Sequence, residues 1–330
     1  MRILLANHSS YPRVGDSKHS QRLRRAYASR ERGEIDLAEF EKIERSVVAE
    51  VIREQEAAGL DLVTDGQVSW ADPVSHLMTK LDGVRSNGLL RFLDTNFYLR
   101  QPVVEAKLRR RHPLITGEYR RAARLARSPV KVVLTGPYTL AHLSVLATTA
   151  YRSTAALAFD LAVHLAEEVS ALVAAGTRFL QVDEPLILAR PPDVRLLREL
   201  LEPLRDAAGD AAQLAIATYF GDAAPLYAQL NSLPADVLAV DCAESPALLD
   251  AIADTGSAKI LALGLVDGRS TRLEEAAAVA AALERALRRY PHDTLFLQPS
   301  CGLEYLPRDR AAPKLGLLAR VRELAGGADR

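Results

Sequence analysis

The chain has 330 residues, 48% hydrophobic and 25% charged, which is material for a sizeable core and a length that α/β barrels often reach as one domain. Lys plus Arg equals Asp plus Glu at 42 each, so no net field draws the chain to nucleic acid or to an anionic membrane surface. The short basic runs Arg109–Arg110–Arg111 and Arg120–Arg121 read as solvated helix faces.

The opening MRILLANHSS has too short an apolar run for a secretory signal, and no stretch has the length of a transmembrane helix. Cys242 and Cys301 lie in separate strand-like contexts and do not make a disulfide framework. A cytoplasmic location is the expectation.

Short apolar or β-branched runs recur along the chain, each followed by a long amphipathic or Ala-rich stretch. They are Arg2–Ala6, Asp61–Thr64, Val130–Thr135, Arg178–Val182, Gln213–Ala217, Val237–Val240, Lys259–Leu263 and Thr294–Leu297. Near-continuous apolar strands alternating with helices imply a parallel sheet covered on both faces, and eight such units predict a (β/α)8 TIM barrel. An open doubly wound sheet fits the same strand count.

The helices carry their own punctuation. One is predicted over Leu37–Ala58, with Leu37, Phe40, Ile43, Val47, Val51 and Ile52 on one face, Asp36 as its cap and Gly59 as its stop. A second runs over Ala155–Ala175 and stops at Gly176. Thr271–Arg272–Leu273–Glu274 reads as a capping box opening a helix to about Tyr290. Residues 66–128 are too long for a βα loop and contain a helical segment around Gly117–Arg127. Such insertions at strand ends of a barrel usually cover the active-site mouth, so the expectation is a single domain over 1–330 with 66–128 as that cover.

In a barrel, chemistry comes from residues just after the strands. Here those residues are unusually polar: Asn7–Arg13 after the first strand, Thr64–Gln67 after the second, and Thr135–Tyr138 after the third. Asp183–Glu184, Thr218–Tyr219, Asp241–Cys242, Asp267–Arg269 and Gln298–Gly302 complete the set. Each alone is a plausible helix cap or loop residue. Eight converging on one mouth argue for a small-molecule site.

Segments in this series resemble the catalytic barrel of cobalamin-independent methionine synthase and its single-barrel relatives. They are SYPR at Ser10–Arg13, VTDGQ at Val63–Gln67, DTNFY at Asp94–Tyr98, LTGPYTL at Leu134–Leu140, QVDEP at Gln181–Pro185, TYFGD at Thr218–Asp222 and QPSCGL at Gln298–Leu303. The resemblance implies methyl transfer from a methyl-tetrahydrofolate or methylcobalamin-type donor to homocysteine. It also implies a zinc ion that holds the thiol as thiolate, and a corrinoid protein as a conceivable donor partner. By the same resemblance Asp183 holds the substrate amine. Ser10, Arg13, Asp65, Gln67, Asn96, Tyr98, Tyr138, Tyr219, Arg269 and His8 fall at substrate-binding positions.

Several family positions are changed. Ala217 and Tyr219 stand at the His and Cys of the family's zinc site, Asp241 at its Glu, and only Cys301 is retained. Gln67 replaces the Glu after the TDG turn, Arg269 a His, and Leu143 a Trp. Three readings follow. In the first, a rebuilt zinc site draws on His8, Asp241, Cys242 and Cys301. In the second, a metal-free enzyme uses Asp183, Glu184 and Asp241 as acid and base, with Cys301 beside them and with Arg13 and Arg269 gripping an anionic, non-thiol substrate. In the third, the barrel binds a metabolite without catalysis.

Overall fold

A computed structural model describes residues 1–189 and 191–326. Its strands are β1 (Arg2–Leu5), β2 (Asp82–Arg91), β3 (Tyr98–Arg109), β4 (Lys131–Thr135), β5 (Val145–Leu146), β6 (Phe179–Asp183), β7 (Gln213–Thr218), β8 (Val237–Asp241), β9 (Ile260–Val266) and β10 (Thr294–Pro299). Seven of them form one sheet in the order β1-β10-β9-β8-β7-β6-β4, with every pairing parallel.

The two outer strands of that sheet are joined by a rung only a few residues long. Leu62 N donates to Leu5 O at 3.0 Å and Asn7 N to Leu62 O at 3.2 Å; on the other side Val63 N donates to Pro129 O at 3.1 Å and Lys131 N to Val63 O at 2.8 Å. The parallel bridges Ala6↔Leu62 and Val63↔Val130 close the ring, so the α/β architecture is the predicted TIM barrel and the open-sheet competitor fails. Each of the eight predicted runs sits in the ring. Gln55 secures the short rung from behind, accepting from Thr64 N and donating to Thr64 O, both at 2.9 Å.

Alternation along the strands separates two cores. Ala6, Leu62, Ala215, Ala217, Val237, Ala239, Ala262 and Phe296 fill the barrel interior. The intervening residues, such as Leu5, Leu214, Ile216, Leu238, Val240 and Leu261, face the helical layer. The helix Leu37–Ala57 packs there through Phe40, Val47, Val51 and Ile52, is capped by Asp36 accepting from Glu39 N, and leaves Leu37 half exposed. Gly59 follows it at φ 83°, a conformation open to glycine at little cost. The helix Thr154–Ala174 is capped by Ser153.

Two expectations need correction. The helix after β9 spans Ala276–Ala286, without a side-chain cap bond. Glu274, the would-be capping-box acid, instead accepts from Asp267 N and pairs with Lys314 at 2.9 Å. Arg109 ends β3, and Arg110 and Arg111 follow it rather than lining a helix face: Arg110 pairs with Glu168 at 2.6 Å, and Arg111 with Asp82.

The segment 66–128 holds the expected helix, at Thr116–Leu125, and also the long antiparallel pair β2–β3, to which β5 adds in parallel. Among the described residues no helix is long and apolar enough to cross a membrane.

Candidate active site

Strand parity decides which side chains reach the mouth. Continuing the inward positions of β1, β7 and β8 past Ala6, Ala217 and Ala239 arrives at His8, Tyr219 and Asp241. Stepping inward along β6 from Phe179 through Gln181 arrives at Asp183. All four are buried.

Asp183 is the best-defined of them. Its Oδ1 accepts from Gln181 Nε2 at 2.7 Å and its Oδ2 from the Tyr219 hydroxyl at 3.2 Å. Gln181 can donate to the carboxylate because its Oε1 is taken by the Lys131 ammonium, at 2.6 Å. Lys131 also donates to Gln298 Oε1, at 3.3 Å. Burial pushes the Asp183 carboxyl up and the Lys131 ammonium down, and the opposite charge of each pulls the other back. Neither Lys131 nor Gln181 stood out in the sequence; a Lys opening an otherwise apolar strand was the available signal.

Around Asp183 the mouth continues without a break. Tyr219 meets the His8 ring edge-on at 5.1 Å and the Phe220 ring at 4.8 Å, and Phe220 meets Tyr305 at 5.4 Å. Tyr219 and Tyr305 both lie within electrostatic reach of Asp183 and Cys301, and Cys301 of Asp241 and Arg269. Asp241 Oδ1 accepts from Ala243 N and Glu244 N at 2.9 and 3.0 Å, while its buried Oδ2 has no partner among the described residues. Burial, with the neighbouring Asp267 adding to it, pushes this carboxyl up to about 7. Cys301 is fully buried, and burial followed by the nearby Asp241 carboxylate holds its thiol well above the usual range, so it is protonated at neutral pH.

A cleft above this layer is lined by Asn96, Phe97, Asp267, Arg269, Glu304 and Tyr305. Arg269 pairs with Glu244 and lies over the Phe220 ring, 4.9 Å from its centroid. Ser10 bonds the Glu304 carboxyl. Gln67 sits just after the second-strand turn at φ 52°. Thus His8, Ser10, Asn96, Asp183, Tyr219, Asp241, Arg269 and Cys301 share one end of the barrel.

Other candidates are placed elsewhere. Glu184 is buried with both oxygens engaged, Oε1 by Tyr138 N at 2.9 Å and Oε2 by Thr139 N at 2.7 Å. It thereby secures the start of the helix Pro137–Leu143, and a Cβ at Gly136 would collide with it. Tyr138 is buried against His142, their rings 4.1 Å apart. Asp65 lines a cavity between the helices Leu37–Ala57 and Thr116–Leu125, with Glu41, Glu44, Glu118 and Arg121. Tyr98 is more than half exposed at the start of β3. Arg13 donates to the carbonyls of Val68 and Trp70, tying down the loop after the second strand.

The zinc implied by the resemblance does not fit these residues. Ala217 has no donor atom, and Tyr219 gives its hydroxyl to Asp183. His8 uses Nδ1 on Ser9 Oγ at 2.9 Å. Cys242, one residue past inward-facing Asp241, has the opposite parity and packs in the outer core, its Sγ 3.9 Å from Val240 O. Among the described residues no group of three or more His, Cys, Asp or Glu is placed to hold a metal ion. The rebuilt four-ligand site therefore fails on strand pleat.

Comparison with known proteins agrees with this architecture. The family profile described as "Cobalamin-independent synthase, Catalytic domain" matches residues 10–324. A methionine synthase of Saccharolobus solfataricus is 29% identical over 309 residues, covering 93% of this chain and 90% of that protein. The 5-methyltetrahydropteroyltriglutamate–homocysteine methyltransferase of Streptomyces coelicolor is 31% identical, covering 96% of this chain but 42% of that longer protein. In fold, the chain superposes on a B12-independent methionine synthase of Shewanella sp. W3-18-1, solved with selenomethionine, with a TM-score of 0.78 at 20% identity, covering 98% of this chain and 97% of that one. With that profile matched over nearly its whole length, the chain belongs to the family of cobalamin-independent synthase catalytic domains.

Proposed function

We propose that this chain is a methyltransferase that carries a methyl group from a methyl-tetrahydrofolate-type donor to the sulfur of homocysteine or a closely similar small amino acid. The observation that carries the reading is a family match over residues 10–324 whose inward strand ends include Asp183, buried and already braced by two donors. A carboxylate offers about four acceptor positions, so Asp183 retains capacity for the ammonium of an amino-acid substrate. The two arginines suggested for an anionic, non-thiol substrate are otherwise engaged, Arg13 on loop carbonyls and Arg269 on Glu244, which favours the amino-acid reading. The segment 66–128 is read as the cover of the mouth, supported by Asn96 and Phe97 lining the cleft with Arg269 and Tyr305. A single domain and a cytoplasmic location belong to the same reading.

Nothing in the site calls for a corrinoid partner, so methylcobalamin serves as the competing donor in the test. Methionine formation from homocysteine is measured with each donor, with and without a strong chelator. The folate donor is expected to support turnover that Asp183→Asn lowers about 100-fold. Because the residues do not suit zinc, chelator and Cys301→Ala are expected to leave most of that turnover intact. Loss of activity on both treatments restores a metal site; absence of methionine with either donor sinks the methyltransferase reading.

A further inference from the structure

Lys131 is 6% exposed, at the start of β4 and inside the barrel rather than at its mouth. Lysine is seldom fully buried unless paired. Among the described residues Lys131 makes no direct ion pair, and its two acceptors are neutral amide oxygens, Gln181 Oε1 and Gln298 Oε1. Apart from Gln213, the rest of its surroundings, including Ala6, Leu62, Phe179, Ala215 and Phe296, is apolar. A methionine would fill that space without desolvating a charge, so packing alone does not account for the ammonium.

The hydrogen-bond directions supply a role. An amide presents an acceptor on one side and a donor on the other. With Oε1 held by Lys131, Gln181 has Nε2 directed at Asp183 Oδ1. Released from the ammonium, the amide can turn over and set its oxygen against the carboxylate, a repulsive contact that an ionised Asp183 does not tolerate.

We propose that Lys131 is a positioning residue that acts through Gln181 to keep Asp183 as an ionised acceptor for the ammonium group of the substrate. The role in substrate binding rests on the methyltransferase reading; the control over Asp183 does not. Of the other groups near Asp183, the Tyr219 hydroxyl also favours its ionised form by donating to it, and the rest push the opposite way or are neutral. Glu184, next in the chain, is an acid raised to about 7 by burial, and Tyr219 and Tyr305 are phenols that burial keeps protonated. His8, beyond Tyr219, is held neutral by burial and then by Lys131 itself. Among these neighbours Lys131 is the one cation facing Asp183; burial lowers its ammonium to about 7 while the Asp183 carboxylate raises it, so the two charges support each other.

The test titrates the Asp183 carboxyl carbon by 13C NMR in aspartate-labelled protein, the signal assigned by its loss in Asp183→Asn. Lys131→Met and Gln181→Met are each expected to raise the Asp183 pKa by about one unit. Lys131→Arg restores it in part, and the double variant shifts no further than Lys131→Met alone. An unmoved titration in Lys131→Met, with only a lowered melting temperature, overturns the proposal and leaves Lys131 a structural residue; should Lys131→Met not fold, Gln181→Met decides in the same way. In turnover, the acid limb of kcat/KM is expected to move up with the titration, losing about tenfold below the limb. A wild type that makes no methionine rejects the functional reading, and the NMR titration still decides the control of Asp183.

Discussion

Asp241 is held at one oxygen by two backbone N–H groups, and among the described residues its buried Oδ2 lacks a partner of ordinary hydrogen-bond geometry, the Phe220 N–H bearing on the carboxyl from nearby. An unsatisfied buried oxygen costs stability, more so when charged, and here burial lifts the carboxyl to about 7. An unfolded aspartate titrates near about 3.9. Between those values the folded chain keeps a proton that the unfolded chain has released, so stability from this group declines as pH rises and levels off above about 7. Asp241→Asn keeps the Oδ1 contacts and never ionises. It is expected to be nearly neutral for stability at pH 4, to stabilise by about 1 kcal/mol at pH 8 in urea unfolding, and to lose turnover; a net loss of stability at pH 8 contradicts this account. At this scale Asp183, Asp241, Tyr219 and Cys301 were legible in the sequence because each falls at or just past the end of an apolar run. Lys131 and Gln181 were not, since nothing in one sequence distinguishes an inward lysine from one at a strand end in water. Cys242 was misassigned to the mouth because adjacency in sequence was taken for adjacency in space, whereas the pleat sends neighbours to opposite faces.

Between elements, one buried side chain gathers several of the bonds that fasten the insertion to the barrel. Glu168, fully buried on the helix Thr154–Ala174, accepts from Leu114 N, Ile115 N, Thr116 N and the Thr116 hydroxyl, and pairs with Arg110. It thereby satisfies the free N–H groups at the entry to the helix Thr116–Leu125 from a distant part of the chain. Burial alone raises its carboxyl, but Arg110 and the backbone donors outweigh that and hold it below the usual range. Its contribution is therefore present above the unfolded value of about 4.3 and is lost as pH falls through the lower folded one. Glu168→Ala strands Arg110 and three N–H groups, and is expected to cost about 3 kcal/mol at pH 7. Limited proteolysis should open first near residues 110–116; unchanged cleavage there and unchanged stability argue against Glu168 as the fastening. The helix Thr116–Leu125 was legible from its pattern, but β2 and β3 were not. β2 is exposed along most of its length, so its sequence carries no alternation of buried and exposed residues for periodicity to find.

For the molecule as a whole, the eight-unit rhythm was enough to anticipate the ring, because parallel strands covered on both faces must be apolar throughout. Its weakest seam, the short rung at Leu62–Val63, was legible as a strand only in outline. The same construction gathers several burial-raised acids at one end: Asp183, Asp241 and Glu304. In the empty barrel burial raises these carboxyls, Asp183 to about 6 and Asp241 to about 7, whereas a ligand ammonium favours their ionised forms. Binding an amino acid should therefore expel protons from the mouth, and affinity should rise as pH increases through about 6 to 7, where Asp183 and Asp241 ionise. Calorimetry with L-methionine in two buffers of different ionisation enthalpy measures that release directly. Net release is expected at pH 6 and almost none at pH 8, while the α-ammonium itself stays protonated over the range. At a ligand concentration of about 100 Kd the added stability is about 2.7 kcal/mol, a rise of several degrees in Tm that should be larger at pH 8 than at pH 6 for a fixed concentration. Proton uptake instead of release, or a thermal shift that shrinks with rising pH, is incompatible with a carboxylate-lined mouth receiving an ammonium. An equal response in Asp183→Asn removes Asp183 from the binding site.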